Sequence, residues 1–193
     1  MRITSAEKQA TRERILKAAK TLFKGKGYGS TTTRDIAKEV GIATGTMFNY
    51  FPSKESIVVE LVHAASDSGS LQSQQHGEAN SLAENLFQVV ANQLRQWKAF
   101  RTYFGPVIEV AFAPPDQLAD YAKPLRMDVS EQLSNVLASH GVDKPSSLDM
   151  QVLWSLYVGV LTFWIADKSR KQESTLALLD QSTQMFANWI SSK

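Results

Sequence analysis

The chain has 193 residues, no cysteine and a formal net charge of +2. That length accommodates one domain or two small ones and buries a substantial core without metals or cross-links. Lacking cysteine, it has no disulfide framework, no cysteine–zinc site, no thiol nucleophile and no iron–sulfur cluster. A cytoplasmic location agrees with this.

The longest nearly apolar run is Leu156 to Ala166, 11 residues with Thr162 inside. A bilayer span needs about 20 such residues, so the run reads as a buried helix and no membrane partner is expected. The first 20 residues, MRITSAEKQATRERILKAAK, are charged and amphipathic and do not read as a secretory signal. Charge is unevenly placed. Residues 1–60 carry 11 Lys/Arg against 6 Asp/Glu, whereas residues 61–193 carry 10 against 13. A basic first third on a mildly acidic remainder points to a polyanion partner for the N-terminus.

The pattern predicts helix throughout, with no sustained strand-type alternation. From Ala6 to Lys24, the residues Ile15, Ala18, Ala19, Leu22 and Phe23 recur at helical spacing. Thr4 and Glu7 fit a capping box, and Gly25 and Gly27 end this helix. A second helix fits Arg34–Val40, capped by Thr32 or Thr33, and a third fits Ala43–Tyr50. Pro52-Ser53 stops the third and starts a fourth, about 53–65, with Ser53 as its cap. Residues 66–80 are almost purely polar and read as a connector. Longer helices follow over about 81–100, 101–112, 116–139, 147–168 and 173–191, with Pro124 expected to kink the third of these.

The segment from Thr33 to Tyr50 carries the most specific pattern. Apolar Ile36, Val40, Ile42 and Met47 fall on inner faces, with small Ala37 and Gly41 among them. Two helices crossing steeply need a small residue at their contact, and the tight turn between them suits glycine. This is a helix-turn-helix. The outer face of its second helix holds Thr44, Gly45, Thr46 and Asn49, with Tyr50 at the edge. Hydroxyls and an amide on a short exposed helix suit base edges and phosphates. Phe48 is expected to pack within the head.

TTTRDIAKEVGIATGTMFNYFPSKESIVVEL resembles the DNA-binding region of the TetR family of bacterial transcriptional repressors. The likeness covers about residues 8–62 and includes AAKTLF, KGYGSTTT, IAKEVGIATGT, NYF and PSKES. It implies an all-α fold: a three-helix DNA-binding head, 1–52, and a helical ligand-binding and dimerisation body, 53–193, in which 53–65 is a connecting helix. By the same resemblance, Thr33 and Lys54 contact phosphates. Thr44, Gly45, Thr46 and Asn49 lie in the major groove, and Tyr50 touches backbone or base. Many relatives have tyrosine where this chain has Phe48, which cannot offer a hydroxyl to a phosphate. Lys8, Arg12, Lys24, Lys26, Arg34 and Lys38 add general attraction to the DNA backbone or are plain solvated charges.

The body holds all four tryptophans. The resemblance implies an effector pocket there, and Trp97, Phe100, Tyr103, Phe104, Glu109, Trp154 and Tyr157 are its candidate lining. An apolar or aromatic effector is expected, with Glu109 either facing a cationic group or pointing to solvent. The expected partners are double-stranded DNA with a palindromic operator, a small-molecule effector, and a second copy of the chain through helices 147–168 and 173–191. No catalytic, metal or cofactor motif is present, and an enzyme is not expected. The sign of regulation stays open, as does a global or chromosome-organising role on the same fold.

Overall fold

The structure, a computed structural model, describes residues 4–70, 80–114 and 117–193. Among them the architecture is all-helical, with no strand. The helices are α1 (Ser5–Lys26), α2 (Thr33–Val40), α3 (Thr44–Phe48), α4 (Lys54–Ser70), α5 (Leu82–Trp97), α6 (Gly105–Ala111), α7 (Lys123–Ser139), α8 (Ser147–Ala166) and α9 (Glu173–Ser191). Short 3-10 turns span Lys98–Tyr103, Asp120–Ala122 and Arg170–Gln172. The chain divides into two compact units, one ending at Leu61 and one beginning at Val62. The first half of α4 therefore packs with the head, because Ile57, Val58 and Leu61 are buried there.

In the head, Ile15, Ala19 and Phe23 of α1 share a core with Ile36, Ala37 and Val40 of α2, Met47 of α3 and Phe51. Thr4 and Glu7 form the expected capping box, and Thr32, paired with Asp35, is the cap of α2. Ser53 Oγ accepts from the Ser56 amide in the first turn of α4. Gly41 ends α2 in the left-handed region (φ 75°, ψ 36°), with its N–H donating to Ala37 O and Lys38 O. Only glycine takes this turn without strain, and satisfying these carbonyls lets α3 begin three residues later.

In the body, α9 lies along α5 and α8, while α7 packs on α5 and α6. The core gathers Leu86, Val90, Leu94 and Trp97 of α5, Leu125, Val129 and Leu133 of α7, Leu153, Tyr157, Leu161 and Trp164 of α8, and Leu179 and Phe186 of α9. Length and composition alone would let α8 cross a membrane, but its Leu153, Tyr157, Val160, Leu161 and Trp164 are buried as a packing face within this core. Both ends of α8 are tied down. Ser146 and Asp149 form a capping box, Asp149 pairs with Lys193, and Arg101 donates to Trp164 O (2.7 Å) and Asp167 O. Burial raises the Tyr157 hydroxyl well above its ordinary range, and that hydroxyl donates to Gln93 Oε1 at 2.9 Å.

Four expectations about elements need correction. The 101–112 segment is not one helix, because its first three residues belong to a 3-10 turn and α6 starts at Gly105 with Pro106 in its first turn. Pro124 does not kink a helix; it sits in the first turn of α7, where its missing N–H costs nothing. The helix expected over 43–50 is shorter, Thr44–Phe48. Finally, α4 continues past 65 to Ser70, while 71–79 of the expected connector lie outside the described residues.

Candidate nucleic-acid interface and body cavity

α3 is held from beneath and presents its polar groups outward. Met47 is 0% exposed and anchors the helix in the head core. Gly45, Thr46 and Asn49 are exposed, and Thr44 is half-buried. Thr33, the first residue of α2, and Tyr50, just beyond α3, are half-buried. The solvent-facing side of α3 and its C-cap is thus largely polar. Phe48 departs from expectation. It is 48% exposed and lies on that surface instead of packing inside. The inner positions of so short a helix are already taken by Met47, so the neighbouring ring has no core to enter.

Basic side chains around this face divide into two groups. Some stabilise the head itself. Arg12 donates to Tyr50 O and to Glu60 Oε1, both at 3.0 Å, and its guanidinium lies 4.4 Å from the Phe51 ring centre. Lys26 pairs with Asp35 at 2.9 Å, and together with the Thr32 cap this holds the Asp35 carboxyl well below the ordinary carboxylate range. Lys8, Lys24, Arg34 and Lys38 are exposed.

Lys54 is placed differently from a simple phosphate-binding lysine. Its ammonium donates to Tyr28 O (2.8 Å) and Thr31 O (3.0 Å) and stands 4.0 Å from the centre of the Tyr28 ring. Tyr28 in turn donates to Glu55 Oε1 at 2.9 Å. Two of the three ammonium donors therefore fix the loop that precedes α2. Lys54→Met removes two charge-assisted bonds and a cation–π contact, and is expected to destabilise the head by about 1–3 kcal/mol. Thermal denaturation should show a lower midpoint; an unchanged midpoint would mean these contacts contribute nothing net.

The body aromatics fall into three placements. Trp97, Phe100, Tyr103 and Phe104 are buried in the core, where Trp97 stacks on Phe104 at 5.1 Å and Phe104 meets Trp164 edge-on at 5.3 Å. Trp97 Nε1 also donates to Ser66 Oγ at 2.9 Å. Tyr157 borders a void of about 20 Å³ between α5, α7, α8 and α9, room for about one water molecule. Trp154 alone of the expected set lines the large cavity, about 920 Å³ and open to solvent, between the end of α6, α7 and α8. Glu109 is exposed on α6 and lines neither cavity. At helical spacing, core and cavity aromatics look alike, and here mutual ring packing decides for the core.

Sequence reasoning missed Arg126. It lines the 920 Å³ cavity from α7, with its guanidinium 4.4 Å from the Trp154 ring centre and Nη1 donating to Ala113 O. Two residues along α7, Asp128 Oδ2 lies 2.6 Å from Nε2 of His63, in the body half of α4.

Comparison with known proteins supplies the family. Residues 15–61 match the model described as bacterial regulatory proteins, tetR family, and residues 82–193 match a tetracyclin repressor-like C-terminal domain. The HTH-type transcriptional regulator YvkB of Bacillus subtilis (strain 168) is 27% identical over 193 residues, spanning 94% of this chain and 97% of that protein. The HTH-type transcriptional repressor KstR2 of Rhodococcus jostii (strain RHA1) is 42% identical over 60 residues, 31% of this chain and 29% of its own length. Among solved structures, FadR of Thermus thermophilus, a transcriptional repressor in complex with lauroyl-CoA, superposes with a TM-score of 0.61. It is 22% identical, and the superposition covers 91% of this chain and 92% of that one. With a head and a body that each match their own model, the chain belongs to the TetR family and is an HTH-type, DNA-binding transcriptional regulator.

Proposed function

We propose that the protein is a homodimeric repressor that reads a palindromic operator through α3 and leaves it when a small apolar or aromatic effector enters the body. The observation that carries this is the pairing, in one chain, of an outward polar face on α3 with a 920 Å³ cavity in the body. Thr44, Gly45, Thr46 and Asn49 read base edges, and Thr33 and Tyr50 contact the DNA backbone. Lys54 braces the loop before α2 and offers its third N–H to a phosphate. No arginine stands on the α3 face, so the strong guanine fork is missing. Threonine and asparagine contacts, the apolar Phe48 ring against thymine methyls, and DNA shape carry the specificity. Likeness to a named repressor supports the sign of regulation.

The dimer forms through α8 and α9, whose outer faces leave Leu148, Phe163, Leu178 and Met185 exposed. Two copies related by a two-fold present two α3 helices to half-sites about one DNA turn apart. Signal passes along α4, which belongs to both units. Its body half bonds through His63 to Asp128 on α7, the helix that brings Arg126 to the cavity. An effector shifts occupancy only by its differential affinity for the two arrangements.

The test is capture of sheared genomic DNA by the purified protein at near-physiological salt, followed by sequencing. A few sharp peaks sharing a palindrome are expected. Dispersed capture without a shared motif would overturn the operator reading in favour of a chromosome-organising role.

A further inference from the structure

Among the described residues that line the large cavity, only Arg126 carries charge. Its partners are neutral: the Ala113 carbonyl and the ring of Trp154. Among the described residues no carboxylate pairs with it. The guanidinium is partly withdrawn from water, and burial pulls its pKa down from the ordinary arginine value while leaving it charged. A half-buried cation with no counter-charge among the described residues is an unfavourable arrangement that an incoming anion relieves. With the Trp154 ring 4.4 Å from the guanidinium carbon and Ala113 O taking one N–H, further N–H donors of the planar guanidinium remain for a ligand. Such donors fit the paired oxygens of a carboxylate, sulfonate or phosphate. Around it, Phe112 packs on Trp154 at 5.6 Å, and Met150, Pro145 and Val158 add apolar wall.

We infer that the cavity binds an apolar, ring- or chain-bearing molecule with one anionic group, and that Arg126 is the residue that selects the anion. This reverses the polarity that Glu109 suggests from the sequence, since Glu109 is exposed and outside the cavity. The site stands by itself as a binding site; its role as effector site rests on the regulatory reading above.

The test uses two fluorescent probes with the same aromatic body. 1-Anilinonaphthalene-8-sulfonate is anionic, and N-phenyl-1-naphthylamine is its neutral counterpart. The full-length protein should bind the anionic probe the more tightly. Arg126→Met should weaken the anionic probe by roughly tenfold or more while moving the neutral one by less than about twofold. Ser130→Glu places a carboxylate one helical turn along α7 from Arg126, inside the same cavity, and should act the same way by supplying an internal anion. Val158→Trp fills the cavity and should weaken both probes. Unchanged far-UV circular dichroism shows that each variant folds.

Equal binding of the anionic probe by wild type, Arg126→Met and Ser130→Glu would overturn the assignment. So would indifference of both probes to Val158→Trp, which would place them elsewhere. Operator release is measured separately. Arg126-dependent probe binding without any effect on operator occupancy supports the anion site and overturns the effector reading. Release by the neutral probe alone, independent of Arg126, does the reverse.

Discussion

Thr46→Ala combined with Asn49→Ala is expected to abolish operator preference while leaving the fold intact. Both side chains are exposed, Thr46 on α3 and Asn49 at its C-cap, and Met47, which anchors the helix, is untouched. Exposed substitutions of this kind usually change stability by less than about 0.5 kcal/mol. Losing two base-edge contacts should remove about 2–4 kcal/mol of discrimination, roughly 30- to 1,000-fold. The readout is the ratio of affinities for operator and scrambled duplex at one salt concentration. Phosphate contacts carry no sequence information, so affinity for the scrambled duplex should stay nearly constant. A preserved ratio would show that a different surface reads the DNA.

A second large effect is expected from Phe163→Glu with Met185→Glu. These side chains are 42% and 56% exposed, on α8 and α9 respectively. At a two-fold interface each new carboxylate meets its own copy or an apolar neighbour, so sedimentation should report a monomer. Operator affinity should then fall by about 10²- to 10⁴-fold, because the two half-sites no longer bind as one linked event. A persistent dimer, or a monomer that binds as tightly, would refute the interface. Deleting α8 and α9 is a poor substitute. They contribute Tyr157, Trp164, Leu179 and Phe186 to the body core, and their loss would unfold it.

The helical elements and the head were legible because their signals are local. Ile36, Ala37, Val40 and Met47 repeat at helical spacing, Gly41 sits where a left-handed turn is needed, and Thr4 and Thr32 precede acidic partners at the capping-box distance. Proline was less informative. Pro106 and Pro124 both begin helices, and a starting proline differs from a kinking one only in where the preceding segment ends. Phe48 was misplaced because an apolar ring is expected inside, yet its position falls on the same outer face as Thr44 and Gly45. The cavity was the least legible part. Arg126 and Trp154 are 28 positions apart and meet only through the packing of α7 against its neighbours, so no spacing rule brings them together.

Gly45 bears on how such a regulator diversifies. It is exposed within α3, and a Cβ built there meets nothing within 4 Å. Its backbone is ordinary right-handed helix, so the fold makes no demand for glycine at this position. Alanine would even favour the helix by about 1 kcal/mol. The position is therefore an empty slot on the exposed side of α3. On the proposed reading, a side chain that enters it faces the groove without disturbing the head. A gene duplicate could then acquire a different operator in one mutational step, while its core and its cavity stayed as they were.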